Sequence, residues 1–500
     1  MRGETFWTLA RIAEALRDEC TGAVPRDDRP VSGITTDTRQ IASGNCFVAL
    51  AGERFDAHDF LADAVARGAC AVVVSRPERT AGLGVPMVAV RDTLAALGAL
   101  ARYRRRAWPG IVIGVGGSNG KTTTKELTRS ALGARLEVHA TDGNLNNLVG
   151  VPLTLLDIPD DADVAVVEMG INVPGEMARL RAIAEPTIAV LTCIAEEHLE
   201  GLGSLDGVMR EESLVFDGAS IAVVPSSQPE IAAAARDRVR RVVTAGLDSG
   251  DVQAVRWGIE SDGQGFVEID GAIVRPPARG AHNLRNAMLA LAVARECGIS
   301  AADAARGMTG ATIPSMRLDW EQLGAATLIN DAYNASPASM RAALDLLGAL
   351  DTVRQRVAVL GTMRELGAHA ARLHEDAARH AQVGAERDTL AAQVAAARGQ
   401  QDSAGRADEL EENLFTKSEE LRALALEREA AENEEDLARD AATLRERLKA
   451  IDGDTSRASL RSLFEADTRV RERRKLGDQF DAQASGLAQN ARLGQDGLGL

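Results

Sequence analysis

The chain has 500 residues, a formal net charge of −16 and a sequence pI near 5.1. This acidic balance excludes a nucleic-acid-binding protein, because contacts to phosphates need a basic face. The length allows about three domains of roughly 150 residues each. The first residues lack the apolar core of a signal peptide and no run of about 18 apolar residues occurs, so we expect a cytoplasmic protein without a membrane span.

Cysteine usage agrees with a reducing compartment. The five cysteines are dispersed along the chain and none forms a CxxC pair. An odd, scattered set is typical of free thiols rather than of a disulfide framework.

Between residues 6 and 106, short apolar runs alternate with helical stretches. Residues 46–50 (CFVAL) and 70–75 (CAVVVS) predict buried strands, and 58–69 (HDFLADAVARGA) predict the helix between them. This alternation is typical of an α/β unit. Residues 103–110 (YRRRAWPG) predict a linker.

A second α/β unit follows this linker. Residues 111–115 (IVIGV) predict a strand that enters a glycine-rich turn and then a helix, and further strands are predicted around Val167, Leu191 and Val223. Loops at the carboxyl ends of parallel strands are the usual place for a ligand. A third unit begins with two predicted strands, 326–334 and 353–362, which enclose a helix over 337–350.

The composition changes in the last 120 residues or so. No proline follows Pro337, no methionine follows Met363 and no histidine follows His380. Two series of positions step by three and four but are out of phase with each other: Leu410, Leu414, Lys417, Leu421 and Leu424, and Leu437, Ala441, Leu444, Leu448 and Ile451. The pattern predicts an interrupted coiled coil, a helical hairpin or a partly disordered charged segment. Such a tail is expected to self-associate or to bind a helical partner.

The glycine-rich turn at 114–126 (GVGGSNGKTTTKE) has two interpretations. Gly116, Ser118 and Gly120 spell GxSxG between a strand and a helix, which is the context of a hydrolase nucleophile. The same turn could be a phosphate-binding loop, in which backbone N–H groups and a helix N-terminus hold anionic oxygens. The standard phosphate-loop pattern has glycine where this chain has Val115.

The residues after the turn favour the phosphate loop. Lys121 can reach a terminal phosphate and the Thr122 hydroxyl can bind Mg²⁺, whereas a serine nucleophile gains nothing from either. Lys121 and Lys125 are also the only lysines in the first 416 residues. A chain that otherwise uses arginine is expected to keep lysine where a compact ammonium is needed.

Two polar residues follow predicted strands further along. Glu168 in VVEMG is either a Mg²⁺ ligand or a carboxylate that faces solvent, and His198 in AEEHLEGLG is either a ligand or a structural histidine. Spacing alone does not decide between these roles.

Over residues 6–380 the motifs resemble those of the Mur ligases, which are ATP-dependent enzymes that form amide bonds. The resemblance rests on these segments: 35–39 (TTDTR), 47–60 (FVALAGERFDAHDF), 116–126 (GGSNGKTTTKE), 143–156 (GNLNNLVGVPLTLL), 168–176 (EMGINVPGE), 198–208 (HLEGLGSLDGV), 280–287 (GAHNLRNA) and 331–340 (DAYNASPASM). It implies an α/β fold with ATP and Mg²⁺ as cofactors. Within the family, the 333–337 string (YNASP) resembles the branch that joins D-alanyl-D-alanine to UDP-N-acetylmuramoyl-tripeptide through an acyl phosphate.

The resemblance implies a domain plan. Residues 1–107 would bind the UDP-sugar, and 108–322 would form the central ATP-binding phosphate-loop domain. Residues 323–380 would be a fragment of the Rossmann-like third domain, and 381–500 the charged helical tail.

The resemblance also implies site residues. ATP phosphates would be wrapped by Gly117, Ser118, Asn119, Gly120, Lys121, Thr122 and Thr123. Magnesium would be held by Thr122, Glu168 and His198, and the catalytic set would be Lys121, Glu168, His198 and Glu212. Adenine would meet His282 and Asn283, while Arg317 and Asp331 would close over the nucleotide. Substrate would be bound by Asp37, Arg39, Asn144, Asn146 and Asn147.

Several positions depart from the family pattern. The family usually has a carbamylated lysine where this chain has Glu212, an asparagine where it has Cys193 and an aspartate where it has Thr362. The third domain of the family also continues for several more strands and ends in a Lys-Gly-Ser-Arg-type loop. The alternative function is therefore a catalytically impaired module that binds nucleotide or precursor and is fused to a helical interaction segment.

Overall fold

The computed structural model describes residues 5–22, 27–52, 55–323, 326–350, 356–398, 413 and 416. Residues 1–384 form one compact unit and 385–500 a second. In the second unit, the described residues 385–398, 413 and 416 are helical. The rest of the predicted tail, including its leucine runs, lies outside the described residues.

The N-terminal part of the first unit contains a four-stranded parallel sheet in the order β3-β4-β5-β6. The helices and strands of this N-terminal part are, in chain order, β1 (Trp7–Thr8), α1 (Leu9–Ala15), β2 (Pro30–Val31), β3 (Gly33–Thr35), β4 (Asn45–Val48), α2 (Leu61–Ala66), β5 (Ala71–Val74), β6 (Met87–Ala89) and α3 (Thr93–Ala107). The predicted strands at 46–50 and 70–75 are confirmed as β4 and β5. The predicted helix at 58–69 is shorter, because a 3₁₀ turn over Ala57–Phe60 precedes α2.

The linker prediction at 103–110 is wrong for most of its length, because α3 continues to Ala107. Arg104 is buried and its Nη2 donates to the carbonyl of Ile158 (2.7 Å) and to Asp160 (2.6 Å). Arg106 forms an ion pair with Glu185 at 2.7 Å. Partners from loops of the central part therefore satisfy these basic residues, and the helix continues to its last turn.

The central part is a seven-stranded parallel sheet in the order β13-β12-β11-β10-β7-β9-β8. Its elements are β7 (Ile111–Gly116), α4 (Lys121–Leu132), β8 (Val138–Ala140), α5 (Gly150–Leu156), β9 (Val164–Glu168), α6 (Glu176–Ala184), β10 (Ile188–Leu191), α7 (Leu199–Leu202), α8 (Leu205–Glu212), β11 (Ile221–Pro225), α9 (Pro229–Arg236), β12 (Arg241–Gly246) and β13 (Val252–Gln253). The strands predicted around Val167, Leu191 and Val223 are confirmed.

Both faces of this sheet are covered, as its nearly continuous apolar strands require. In β7, Ile113 and Val115 face the core under α4 and α10, whereas Val112 faces the core under α5 and α6. This alternation follows from the two-residue period of a strand. An antiparallel sheet of β14 (Arg256–Ile259), β15 (Gly265–Ile269) and β16 (Ala272–Val274) leads into α10 (Ala281–Glu296) and α11 (Ala301–Thr309).

The third part begins with an antiparallel hairpin. Strands β17 (Asp319–Leu323) and β18 (Ala326–Asn330) pair with each other, and α12 (Pro337–Ala349) and α13 (Ala370–Arg398) follow. The helix predicted at 337–350 is confirmed, whereas the strand predicted at 326–334 is formed only over Ala326–Asn330 and 331–334 is a turn.

The second predicted strand of this part, 353–362, is not formed in its described residues, 356–362. Val357 and Val359 are 71% and 92% exposed. A parallel strand is stable only beside a neighbour, and after β18 the described residues supply helices rather than another strand. In the described residues the β17–β18 hairpin has no third strand, and 356–362 pairs with no strand.

Candidate active site

The loop after β7 has the geometry of a phosphate-binding loop. It lies between the strand end at Gly116 and the start of α4 at Lys121, and Gly117 and Gly120 have φ of +115° and +81°. A Cβ on Gly117 would lie 2.3 Å from Thr192 Oγ1, and one on Gly120 would lie 2.6 Å from Asn286 Oδ1. Both positions therefore require glycine, and the loop is held between the end of β10 and α10.

Lys121 is surrounded by acceptors. Its Nζ donates to the carbonyls of Gly117 and Ser118 and lies 3.4 Å from Glu197 Oε1. Burial disfavours the charged ammonium, but the nearby carboxylates of Glu197 and Glu212 outweigh this and raise the pKa of Lys121. The residue therefore stays cationic at the mouth of the loop, as a phosphate partner must.

The geometry of Ser118 contradicts the hydrolase interpretation. Its Oγ donates to the carbonyl of Ala195 at 3.1 Å and accepts from the N–H of Ala195 at 2.9 Å, and the residue is buried. A nucleophile on a strand-to-helix turn has an exposed hydroxyl. Ser118 instead fastens the loop to the segment after β10.

Glu168 is the last residue of β9, and only one of its two carboxylate oxygens is hydrogen-bonded. Its N–H donates to Thr141 Oγ1 (3.0 Å), and its Oε1 accepts from Asn146 Nδ2 (2.8 Å). Its Oε2 is buried and has no hydrogen-bond partner. Because a buried carboxylate oxygen without a partner is costly, this atom fits a hard cation such as Mg²⁺.

The three predicted asparagines have different environments. Asn146 contacts Glu168, and Asn147 Oδ1 accepts from the N–H groups of Val149 (3.0 Å) and Gly150 (2.9 Å) at the start of α5. Asn144 is exposed. Only Asn146 is therefore part of the cluster around the phosphate loop, and Asn147 also has a helix-capping role.

His198 connects the central sheet to the third part of the unit. Its φ is +51°, its Nδ1 is hydrogen-bonded to the carboxylate of Glu365, and its Nε2 lies 3.9 Å from Glu197 Oε2. The N–H of Glu200 donates to the carbonyl of Glu365 at 3.0 Å. The imidazole therefore lies between two carboxylates at the edge of the cluster.

Glu212 is fully buried behind the loop. Its Oε2 accepts from the N–H of Gly117 at 2.8 Å, and its Oε1 has no hydrogen-bond partner. Burial raises the pKa of Glu212. This carboxylate consequently holds one amide of the phosphate loop directly.

Glu197 belongs to the same cluster but is not among the site residues predicted from the sequence. Burial raises its pKa to about 8 although Lys121 opposes the shift. Two consecutive acids just before His198 and just after a strand end were a signal that could have identified it.

His282 and Asn283 lie in the first turn of α10. Burial lowers the pKa of His282 to about 4, so the ring is neutral at pH 7. Asn283 Oδ1 accepts from Asn286 Nδ2 (3.1 Å), and Asn286 packs against Gly120. The start of α10 is therefore coupled to the phosphate loop.

Arg317 and Asp331 flank the hairpin β17–β18. The Arg317 guanidinium lies 4.0 Å from the ring centroid of Tyr333, and Asp331 Oδ1 accepts from the N–H of Leu318 (3.1 Å). Burial raises the pKa of Asp331 to about 6.

The start of α12 reaches the phosphate loop. Ser336 Oγ donates to Asn119 Oδ1 at 3.0 Å, and Arg341 forms an ion pair with Glu196 at 3.5 Å. The third part is thus docked beside the loop.

Asp37 and Arg39 lie just after β3 of the N-terminal sheet, away from the sheet that carries the phosphate loop. Asp37 caps the 3₁₀ turn Thr38–Gln40 and pairs with Arg39 at 2.8 Å. Hydrogen bonds from Arg39 lower the pKa of Asp37. The Arg39 side chain is exposed and can meet a ligand at that surface.

Within the described ranges, no group of three or more His, Cys, Asp or Glu side chains is arranged to hold a metal by itself. A Mg²⁺ ion here would need phosphate or hydroxyl oxygens as well, which is its usual mode with nucleotides. The helices of the described part include none that is both long and apolar enough to cross a membrane.

Comparison with known proteins identifies the family. Three family models match: "Mur ligase family, catalytic domain" over residues 30–105, "Mur ligase middle domain" over 115–294 and "Mur ligase, glutamate ligase domain" over 316–447. A curated relative from Bacillus subtilis, named UDP-N-acetylmuramoyl-tripeptide–D-alanyl-D-alanine ligase, is 36% identical over 365 residues, which cover 72% of this chain and 79% of the relative. The chain belongs to the Mur ligase family.

Other relatives agree with this assignment. The Escherichia coli relative of the same name is 36% identical over 388 residues, covering 75% of this chain and 82% of that protein. Among solved structures, MurF from Acinetobacter baumannii matches with a TM-score of 0.68 and 34% identity, covering 75% of this chain and 83% of that chain. MurF ligase from Thermotoga maritima, solved in complex with ADP, matches with a TM-score of 0.64 and 28% identity, covering 70% and 81%. The Mur ligase fold expected from the sequence is thereby confirmed.

Proposed function

We propose that this Mur ligase joins D-alanyl-D-alanine to UDP-N-acetylmuramoyl-tripeptide at the expense of ATP. The observation that carries the proposal is the phosphate loop with its cationic Lys121, together with the nearby buried carboxylate of Glu168, one oxygen of which has no partner. Relatives at 33–36% identity share the name of this activity, and a structural neighbour binds ADP.

The chemistry follows from charge. The peptide carboxylate attacks the γ-phosphoryl group of ATP, which gives an acyl phosphate and ADP. The amine of the dipeptide then attacks the acyl carbon, phosphate leaves, and the amine loses a proton. Two anions must approach in the first step, so the Lys121 ammonium neutralises γ-phosphoryl oxygens and lowers the barrier.

Mg²⁺ would supply the remaining positive charge. Glu168 Oε2 and the hydroxyl of Thr122 are the ligands we assign to it, with His198 at the edge of the same cluster. Gly117, Ser118, Asn119, Gly120 and Thr123 would surround the phosphates. Glu212 would replace the family's carbamylated lysine with a shorter arm, and its bond to Gly117 N–H supports a role in holding the loop.

The remaining assignments concern the substrates and the nucleotide. His282 and Asn283 would meet adenine, Arg317 and Asp331 would close over the nucleotide, and Asn146 would contact the muramoyl-peptide. Asn144 and Asn147 are assigned to the same substrate, and Asp37 and Arg39 to the UDP-sugar.

We retain the domain plan in this proposal. Residues 1–107 would bind the UDP-sugar, 108–322 ATP, and 323–380 would be a shortened third domain, followed by a charged tail over 381–500 that self-associates or binds a helical partner. The exposed Val357 and Val359 support a shortened third domain. A nucleotide-linked precursor and ATP as substrates support a cytoplasmic reaction.

One assay tests the proposal. Phosphate release is measured with ATP and UDP-N-acetylmuramoyl-tripeptide, with and without D-alanyl-D-alanine. Release that depends on the dipeptide supports the ligase. Nucleotide binding without release refutes it and favours the impaired module.

A further inference from the structure

Lys125 is a fully buried lysine that the proposed chemistry does not use. It lies one turn after Lys121 on α4, and its Nζ donates to the carbonyl of Thr141 at 2.6 Å and pairs with Glu126 at 2.8 Å. Burial of an ammonium is costly unless it is paired and hydrogen-bonded. We therefore expect the buried ammonium of Lys125 to have a role other than packing.

Thr141, whose carbonyl accepts the bond from Lys125, is also hydrogen-bonded to β9. Thr141 follows β8, and its N–H donates to the carbonyl of Val166 in β9 at 3.0 Å. Its Oγ1 accepts from the N–H of Glu168 at 3.0 Å. With its carbonyl held by Lys125, every polar group of Thr141 is engaged, and two of its bonds reach the strand that ends in Glu168.

The loop that starts at Thr141 also holds the carboxylate of Glu168. Asn146 Nδ2 donates to Glu168 Oε1 at 2.8 Å, and the carbonyl of Asn146 accepts from the N–H of Gly170 at 2.8 Å. Glu168 is therefore held by two hydrogen bonds, from its backbone N–H to Thr141 and from Asn146 to one carboxylate oxygen. Its Oε2 is left as the buried oxygen without a partner.

We infer that Lys125 is a positioning residue, which acts through Thr141 to fix the carboxylate of Glu168 for the metal–nucleotide complex. This inference rests on the proposed function, because it assigns Glu168 to Mg²⁺. Partners that orient a ligand from behind it typically change metal affinity or activity by about 10- to 100-fold when they are removed.

The test uses the full chain and three variants. K125M replaces the ammonium with an apolar side chain of similar length. T141V keeps the carbonyl that Lys125 binds but removes the acceptor for Glu168 N–H. T128V is the matched control, because Thr128 is equally buried on α4 and its Oγ1 has no hydrogen-bond partner.

Two quantities are measured for each variant. The first is the free Mg²⁺ concentration that gives half-maximal phosphate release, together with the KM for D-alanyl-D-alanine. The second is the dissociation constant of Mn²⁺ in the presence of ADP, from electron paramagnetic resonance. We expect K125M and T141V to weaken both metal constants by about 10-fold or more with an unchanged dipeptide KM, and T128V to resemble the parent chain.

The outcomes separate the two claims. Parental metal constants in folded K125M or T141V overturn the inference, even if thermal stability falls. If K125M does not fold, K125Q replaces it, since this variant also removes the ammonium but keeps a polar side chain in the buried site; T141V tests only the link from Thr141 to Glu168. Parent chain that binds Mn²⁺ with ADP but releases no phosphate refutes the proposed function, while the Mn²⁺ constants still test Lys125. Parent chain that binds no Mn²⁺ with ADP overturns both.

Discussion

Replacement of Ser118 with alanine tests whether this serine fastens the loop or reacts. The substitution removes both hydrogen bonds to Ala195 and leaves a buried N–H and a buried carbonyl without their partner. Each such group costs about 1–3 kcal/mol. The sum is about 2–6 kcal/mol, and single substitutions rarely exceed about 4–5 kcal/mol, so we expect a loss of about 2–4 kcal/mol.

This loss should be visible in thermal unfolding. For a domain of 150–250 residues, 1 kcal/mol lowers Tm by about 2–4 °C, so S118A should lower Tm by about 4–16 °C. Dipeptide-dependent phosphate release should persist with a raised KM for ATP, because the hydroxyl shapes the loop but does not react. S220A is the control, since Ser220 is exposed.

Two results would refute this reasoning. One is a parental Tm together with a complete loss of turnover, which would assign Ser118 a chemical role. The other is labelling of Ser118 by a fluorophosphonate, which would restore the hydrolase interpretation.

Three further predictions concern a site carboxylate, a buried histidine and the third part of the first unit. E212K should turn over faster than the parent chain when bicarbonate is present, because a carbamylated lysine carries its carboxylate on a longer arm; unchanged kcat would contradict this. The depressed pKa of His282 means that stability is complete above about pH 6.5 and falls as pH decreases towards about 4, so H282Q should flatten that part of a Tm-against-pH curve. Residues 1–384 should unfold at the Tm of the first unit in the full chain, whereas residues 1–369 should aggregate or melt earlier, because they lack Leu373, which is fully buried in the core; equal Tm values for the two pieces would contradict the assigned packing.

The parallel sheets could be predicted from the sequence because their strands are short apolar runs buried on both faces. The strand at 111–116 is an example, since its β-branched residues and the glycine-rich turn after it leave little choice of structure. Sequence patterns gave a wrong prediction of a linker at 103–110 and of a strand at 356–362. In the first case distant acceptors at Ile158 and Glu185 stabilise a basic helix end, and in the second a strand-forming sequence has no neighbouring strand.

The candidate site was predictable where a motif fixes the local backbone, as around Lys121. Roles that depend on contacts between distant segments were not. Glu197 contacts Lys121 and Thr141 contacts Lys125, and both contacts join segments that are distant in the chain and meet because of the order of the strands in the central sheet. Likewise, nothing local distinguishes Asn147, which caps a helix, from Asn146, which holds a carboxylate.

The attachment of α3 determines where this molecule can bend. Arg104 and Arg106 anchor the helix to the central sheet, and Trp108 just after it is buried in the core of that sheet. We therefore expect the N-terminal and central sheets to move together. We expect the third part to rotate relative to these two sheets about the irregular segment 310–318, downstream of α11. A pair of fluorophores across that segment would change distance with nucleotide, whereas a pair across α3 would not.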